Sequence, residues 1–261
     1  MVLANDPNLL VPEPPTVPLP PCDLASDEPE LESYLHLQQL LLLIKCLDWV
    51  WRDKTDYFAA GNLTIYYSAD QVKTRDFKGP DFFVVLNAEK RPRKSWTVWA
   101  EGGRYPNLIV ELLSDSTANH DRTLKKQLYQ DTFRTPEYFW FSPDTLELEG
   151  FALVEGQYQP IVPNADGLLW SAQLNLHLGI HDSQLRYFFA PGQLVPTPEE
   201  FALEAQAAVQ TAQAETQQAR QQAEQAQAET QQARQQAEQA QAEAQKLAAK
   251  LRELGLDPDT L

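Results

Sequence analysis

Short apolar runs, rich in β-branched and aromatic residues, recur along the middle of the chain. Such runs predict β-strands, because these side chains pack well on a pleated surface. Two of them, 82–86 and 108–113, are almost continuously apolar, which is typical of strands buried on both faces. The predicted strands are 62–68, 82–86, 96–100, 108–113, 137–141, 146–153, 158–162 and 168–174.

Two other segments of this region predict helices. Residues 33–51 carry a run of leucines at mixed spacing, and residues 118–133 follow serines that are suited to cap a helix. The order strand, helix, strand between residues 108 and 141 predicts a parallel crossover. The last three predicted strands are expected to form an antiparallel meander. The pattern therefore predicts an α/β fold with a meander added to its core.

The C-terminal part contains a repeat: the unit QAETQQARQQAEQA occupies 213–226 and again 227–240. Fourteen residues are two heptads, and small or apolar residues here are separated alternately by three and four positions, as in a coiled coil. This seam consists of Val209, Ala212, Thr216, Ala219, Ala223, Ala226, Thr230, Ala233, Ala237, Ala240, Ala244, Leu247, Leu251 and Leu254. We predict one long helix over 196–261. Because alanine buries little area, an oligomerisation arm, a solvated single helix and a low-complexity expansion all remain open.

The charge of the chain is unevenly distributed. The 37 acidic and 21 basic residues give a formal net charge of −16, which taken alone argues against binding a nucleic-acid backbone or an anionic membrane. However, residues 1–44 contain seven acids and no lysine or arginine, whereas residues 72–126 contain eleven basic and seven acidic residues. The basic stretch from Lys73 to Lys94 is therefore a candidate contact for phosphates, although many charge runs are solvated loops.

The distribution of prolines, apolar runs and cysteines predicts three segments of the chain and a cellular compartment. Eight prolines between Pro7 and Pro29 predict an extended leader over 1–26, followed by a globular domain over 27–195 and the repeat helix over 196–261. The longest apolar run, Leu40 to Ile44, is too short to span a bilayer, and no basic segment of a secretory signal is present. Two cysteines are too few for a disulfide scaffold or a zinc cluster. We expect a cytoplasmic protein without a membrane partner.

One acid interrupts the predicted strand LIVELL. Burying Glu111 without a partner would cost several kcal/mol, so a cation is expected beside it. Asp81, at the head of the strand 82–86, is its natural companion, and two carboxylates from neighbouring strands form a hard-oxygen site for Mg²⁺ or Mn²⁺. Asp121 and Lys125 share one helix face, which Tyr129 continues. The spacing leaves open a purely structural ion pair between Glu111 and a lysine or arginine.

Four ordered segments carry a resemblance to a known family. GPDFFVV, YPNLIVELLSDST, DRTLKKQLY and TPEYFWF resemble the Uma-two family, a restriction-endonuclease domain of bacterial proteins in the PD-(D/E)xK nuclease superfamily. Pro80-Asp81 matches the PD of the motif, and Glu111 matches its second acid. The superfamily places a lysine two residues later, where this chain has Leu113; Uma-type proteins keep a lysine in the following helix, which matches Lys125.

The resemblance implies a restriction-endonuclease-like fold, a mixed central sheet flanked by helices, over about residues 50–190. It implies that Asp81, Glu111 and the backbone carbonyl of Leu112 hold Mg²⁺ or Mn²⁺. It further implies that Lys125 orients the attacking water or stabilises charge on the phosphate, and that Asp121 supports that lysine or the metal.

Two functions are consistent with these features. One is a metal-dependent endonuclease that cuts DNA or RNA and forms a dimer through its C-terminal helix, which the set of Asp81, Glu111 and Lys125 favours. The other is an inactive nuclease fold that serves as an interaction module, which Leu113 and the acidic ends of the chain favour. The four histidines show no spacing typical of metal ligands.

Overall fold

The computed structural model describes residues 21–28, 33–68, 79–114 and 121–253. The chain divides into two compact units, Met1–Pro198 and Glu199–Leu261. Most of the predicted leader, the basic stretch from Lys73 to residue 78 and the seam residue Leu254 lie outside the described residues. No helix among the described residues combines the length and the hydropathy that crossing a membrane requires.

The first unit is built on a mixed sheet. Among the described residues it has six strands in the order β1-β3-β5-β6-β7-β8. β5 and β6 pair in parallel, which confirms the predicted crossover, and the other neighbours pair antiparallel. The strands are β1 Tyr57–Gly61, β3 Phe82–Leu86, β5 Leu108–Leu112, β6 Glu137–Phe141, β7 Leu148–Val154 and β8 Gln157–Pro160.

A second sheet of four strands, in the order β12-β11-β10-β9, and a two-stranded parallel pair complete the β-structure of the described residues. The predicted meander is therefore divided, because its first two strands extend the large sheet and its third begins the second sheet. The strands are β2 Ile65–Tyr66, β4 Trp96–Thr97, β9 Leu169–Ser171, β10 Leu176–His181, β11 Gln184–Phe189 and β12 Gln193–Leu194.

Three helical segments are described. α1 is Tyr34–Val50, and the hydroxyl of its N-cap Ser33 accepts a hydrogen bond from the backbone N–H of His36. α2 is continuous from Asp121–Lys125 through Lys126–Leu128 to Tyr129–Phe133, and its first and last turns are π-helical. α3 is Pro198–Glu253, which confirms the predicted long helix.

The central sheet is covered on both faces. On β3, Phe82 and Val84 belong to one apolar cluster with α1 and the second sheet, whereas Phe83 and Val85 belong to a second cluster with α2. The split follows from strand geometry, since successive side chains point to opposite faces. On β5 the same alternation places Glu111 on the face that α2 covers. The predicted mixed central sheet flanked by helices is confirmed.

We expect Gly150→Ala to lower the free energy of unfolding by about 1–3 kcal/mol, the usual cost of overpacking a core. A Cβ at Gly150 would lie 2.5 Å from the ring of Phe139, on the adjacent strand. Denaturation in urea measures the change. The exposed neighbour Glu149 offers a control: Glu149→Ala should stay within about 0.5 kcal/mol of the parent. Equal stabilities for the glycine variant and the parent would contradict this packing.

Candidate active site

Asp81 and Glu111 meet at the end of the β3–β5 pair. The two strands run antiparallel with Phe82 opposite Val110, so continuing the register by one residue places Asp81 opposite Glu111. The backbone N–H of Asp81 donates to Oε2 of Glu111 over 3.2 Å. The two acids lie thirty positions apart in sequence, and the strand pairing makes them cross-strand neighbours.

Glu111 is fully buried, and its two oxygens have different partners. The ammonium of Lys125 donates to Oε2 over 3.1 Å, and the hydroxyl of Tyr129 donates to Oε1 over 2.7 Å. The expected cation beside Glu111 is therefore Lys125, whose side chain is 9% exposed. The ion pair is shielded from water, so its electrostatic interaction is stronger than that of a surface pair.

The geometry of α2 explains why Lys125 and Tyr129 reach the same carboxylate. The two residues are four positions apart, and each stands in or beside a π-helical turn. Side chains four apart lie on one face of an α-helix, and π turns such as those at both ends of α2 are often found at functional sites. Asp121 begins the same helix, but its side chain lies outside the described residues.

Leu113 occupies the position at which the PD-(D/E)xK motif has its lysine. Its side chain is 2% exposed and belongs to the apolar cluster between the sheet and α2. It shares a sheet face with Glu111, because the two residues are two positions apart. The side chain of Lys125 reaches that face from the helix instead. Lysine and acid thus come together although the motif spacing is not kept.

Asp81 is held from two sides. Its Oδ2 accepts the backbone N–H of Leu112 over 2.7 Å, and its Oδ1 lies 3.3 Å from Nε2 of His36. Burial alone would raise the pKa of Asp81, but the adjacent imidazole of His36 and the charge of Lys125 outweigh burial and lower it below the ordinary value. Asp81 is therefore a carboxylate at neutral pH. No motif or spacing pointed to His36, since α1 lies far from both acids in the chain.

The Leu112 carbonyl faces the β3 side of its strand. In an extended strand the N–H and C=O of one residue point to the same side, and the Leu112 N–H points to Asp81. Continuing the β3–β5 register places Pro80 opposite Leu112. Proline has no N–H, so it cannot donate to this carbonyl as another residue would. The proline of the PD motif therefore removes the backbone N–H that would otherwise donate a hydrogen bond to the Leu112 carbonyl oxygen.

Glu28, which precedes α1, forms hydrogen bonds that hold Gly79, two residues before Asp81. Oε1 of Glu28 accepts the backbone N–H of Gly79 over 2.6 Å and the hydroxyl of Thr64 over 2.7 Å. A Cβ at Gly79 would lie 2.7 Å both from that oxygen and from the carbonyl oxygen of Leu63, so only glycine fits. The carbonyl of Gly79 in turn lies 3.4 Å from Nζ of Lys125. Glu28 is a second residue of this region that sequence reasoning missed.

Most basic residues in the described part of the basic stretch form ion pairs with acidic residues of the same domain. Arg91 and Arg93 both bind the carboxylate of Glu101, at 2.8 and 2.7 Å. Lys90 binds the carboxylate of Asp48 at 2.7 Å. Hydrogen bonds and charge from Asp48 outweigh burial and raise the pKa of Lys90. Three of the four basic residues between 90 and 94 thus have carboxylate partners, which weakens the case for this stretch as a phosphate contact.

The structure brings together Asp81, Glu111, the Leu112 backbone and Lys125. In the part of the chain that is described, no group of three or more histidine, cysteine, aspartate or glutamate side chains is placed to hold a metal. The candidate donors are therefore two carboxylates and one carbonyl, all of them hard oxygens. This arrangement places two carboxylates side by side, with an ammonium that contacts the second of them.

Comparison with known proteins places this chain in a family. The family model Uma2, described as "Putative restriction endonuclease", matches residues 28–186 and so includes both acids and Lys125. A crystal structure titled as a putative nuclease belonging to DUF820, from Anabaena variabilis, is 16% identical, with a TM-score of 0.43 over 61% of this chain and 84% of its own. No curated protein gives a significant match. The chain belongs to the Uma2 family of restriction-endonuclease-like domains.

Proposed function

We propose that the chain is a metal-dependent endonuclease that hydrolyses phosphodiester bonds of DNA or RNA. One observation carries the proposal: Asp81 and Glu111 are cross-strand neighbours, and Lys125 contacts the second acid from the helix that follows its strand. This set reproduces the charges of a PD-(D/E)xK site, with the lysine moved from position 113 into α2. Membership of the family makes a nucleic acid the expected substrate.

The donor atoms fit Mg²⁺ or Mn²⁺. Asp81, Glu111 and the Leu112 carbonyl would supply oxygen ligands, which these cations prefer. The Leu112 carbonyl is suited to this role because Pro80 has no N–H to offer it. A divalent cation bound there supplies a water of lowered pKa and a Lewis acid for the phosphate.

The remaining groups position the reactants. The Leu112 N–H fixes one oxygen of Asp81, and the Tyr129 hydroxyl fixes one oxygen of Glu111, so each carboxylate retains a defined orientation. Lys125 would orient the attacking water or stabilise the charge that develops on the phosphate. Asp121, at the start of the same helix, would support Lys125 or a metal-bound water. We further propose that α3 joins two copies of the chain into a dimer.

The second candidate is a nuclease fold retained as an interaction module. Two observations favour it: the buried Leu113 at the motif lysine position, and the pairing of Arg91 and Arg93 with Glu101 inside the domain. In that case the Lys125–Glu111 pair would be purely structural. The two functions differ in whether the site binds a divalent cation and cuts a nucleic acid.

A cleavage assay with metal titration tests the proposal. The full chain is incubated with supercoiled plasmid, single-stranded DNA and RNA, each with Mg²⁺, with Mn²⁺ or with EDTA. We expect cleavage that needs the metal and is absent from an identically prepared Glu111→Ala protein, which controls for contaminating nucleases. Calorimetric titration with Mn²⁺ should show binding to the parent only. No cleavage of any substrate together with no heat of binding would support the interaction module instead.

A further inference from the structure

The seam of α3 is exposed along nearly all of the described part of the helix. The helix runs for 56 residues, and none of them is buried. Val209 and Leu247, both on the predicted seam, are 55% and 64% exposed. A helix with this many exposed seam positions gains stability when another apolar face covers them, since tertiary packing rather than propensity stabilises most helices.

The seam is compatible with burial at an interface. The two threonines among its alanines, Thr216 and Thr230, donate their hydroxyls to the carbonyls of Ala212 and Ala226, one turn earlier in the same helix. Neither hydroxyl would therefore enter an interface without an acceptor. With Val209, these threonines occupy the a positions of their heptads, and Leu247 occupies a d position. β-branched residues at a positions are typical of two-stranded coils, and the d positions from 212 to 240 are alanine.

We propose that α3 pairs with α3 of a second copy as a parallel, in-register, two-stranded coiled coil. The charged residues beside the seam indicate that the two helices run parallel. Glu215 and Glu229 stand at g positions, and Arg220 and Arg234 stand at e positions, five residues further along. In a parallel coil in register, each g residue contacts the e residue five positions later in the other helix. Both glutamates would then face an arginine of the second copy.

The opposite direction loses part of this complementarity. In an antiparallel coil, g positions face g positions and e positions face e positions. With Ala212 opposite Leu251, Glu215 would face Lys250, and the two arginines would face glutamines. That arrangement makes two attractive charge contacts per dimer, whereas the parallel one makes four. Within a single helix, residues five apart are not neighbours, so the spacing from Glu215 to Arg220 has no use there. Arg220 does lie four residues before Glu224, but that order of charges is the less favourable one for a pair within a helix.

The pairing is independent of the proposed hydrolysis, because no residue of α3 belongs to the active site. It can therefore be tested in the full chain whether or not a nucleic acid is cut. Cys22 is the exposed cysteine of the described residues and Cys46 is buried, so Cys22→Ser provides a background for new thiols.

Disulfide crosslinking tests direction and register. Ala212→Cys, at a d position near the start of α3, should form a disulfide-linked dimer under mild oxidation, because a parallel in-register coil places it beside its own counterpart. Ala214→Cys is the matched control, since it stands at an f position on the outer face and should stay unlinked. Crosslinking at both positions would overturn the proposal, as would a mixed crosslink between Ala212→Cys and Leu251→Cys without an Ala212→Cys homodimer.

Sedimentation of charge variants tests the pairing. The double variant Arg220→Glu with Arg234→Glu places like charges at four contacts per dimer and should weaken self-association about tenfold or more. Mixing it with the double variant Glu215→Arg with Glu229→Arg should restore association as a heterodimer. A parent chain that sediments as a monomer at every concentration, or a charge variant that associates as well as the parent, would contradict the proposal.

Discussion

Asp81→Asn is expected to lower the metal-dependent cleavage rate by about a thousandfold or more while leaving the domain folded. Asparagine has the same shape as aspartate, and its carbonyl oxygen can still accept the Leu112 N–H that now binds Oδ2. What is lost is the negative charge that the proposed metal site needs. Several kcal/mol of transition-state stabilisation depend on such a metal, and each 1.36 kcal/mol is about tenfold in rate.

Two measurements separate this effect from unfolding. The midpoint of urea denaturation should fall in Asp81→Asn, because the lowered pKa of Asp81 means that its charge stabilises the folded state, but the protein should still unfold cooperatively from a folded baseline. Mn²⁺ binding in calorimetry should disappear. The exposed Asp144 offers a matched control, because Asp144→Asn makes the same chemical change away from the site and should retain cleavage. Cleavage at the parental rate by a folded Asp81→Asn protein would remove Asp81 from the mechanism.

Much of this site was predictable from the sequence, because the signals for it lie within single strands and helices. The continuous apolar runs of β3, β5 and β6 required burial, so their strands appear close to where the pattern placed them. A carboxylate inside such a run required a cation, and Lys125 is that cation. The spacing of four between Lys125 and Tyr129 placed both on one helix face, which the structure directs at Glu111.

What was missed depends on contacts between distant segments. β1, with the sequence YFAAG, has alanines and a glycine that weaken any strand pattern, and it forms because β3 pairs with it along its whole length. His36 and Glu28 reach the site from segments that carry no motif. β10 and β11 were not predicted either, since histidine and glycine interrupt the apolar pattern of β10, and cross-strand pairing supplies the order.

Lys125→Met is expected to lower the free energy of unfolding by about 3–5 kcal/mol. Methionine fills similar space but leaves the fully buried carboxylate of Glu111 without its counter-ion, and breaking a buried pair on one side has this cost. Adding Glu111→Gln should recover most of the loss, because an amide can remain buried with the Tyr129 hydroxyl as its partner. The exposed Lys94 provides the control, and Lys94→Met should stay within about 0.5 kcal/mol of the parent.

Urea denaturation of the parent, the two single variants and the double variant forms a double-mutant cycle that measures the coupling of the pair. If the site also binds a divalent cation, Mn²⁺ should stabilise Lys125→Met more than it stabilises the parent, since the cation then replaces the positive charge that Lys125 places beside Glu111. The Lys125→Met/Glu111→Gln protein should gain little from the metal. Additive effects of the two substitutions would show that Lys125 and Glu111 are not energetically coupled. An equal metal effect in all four proteins would place the cation elsewhere and remove Glu111 from its ligands.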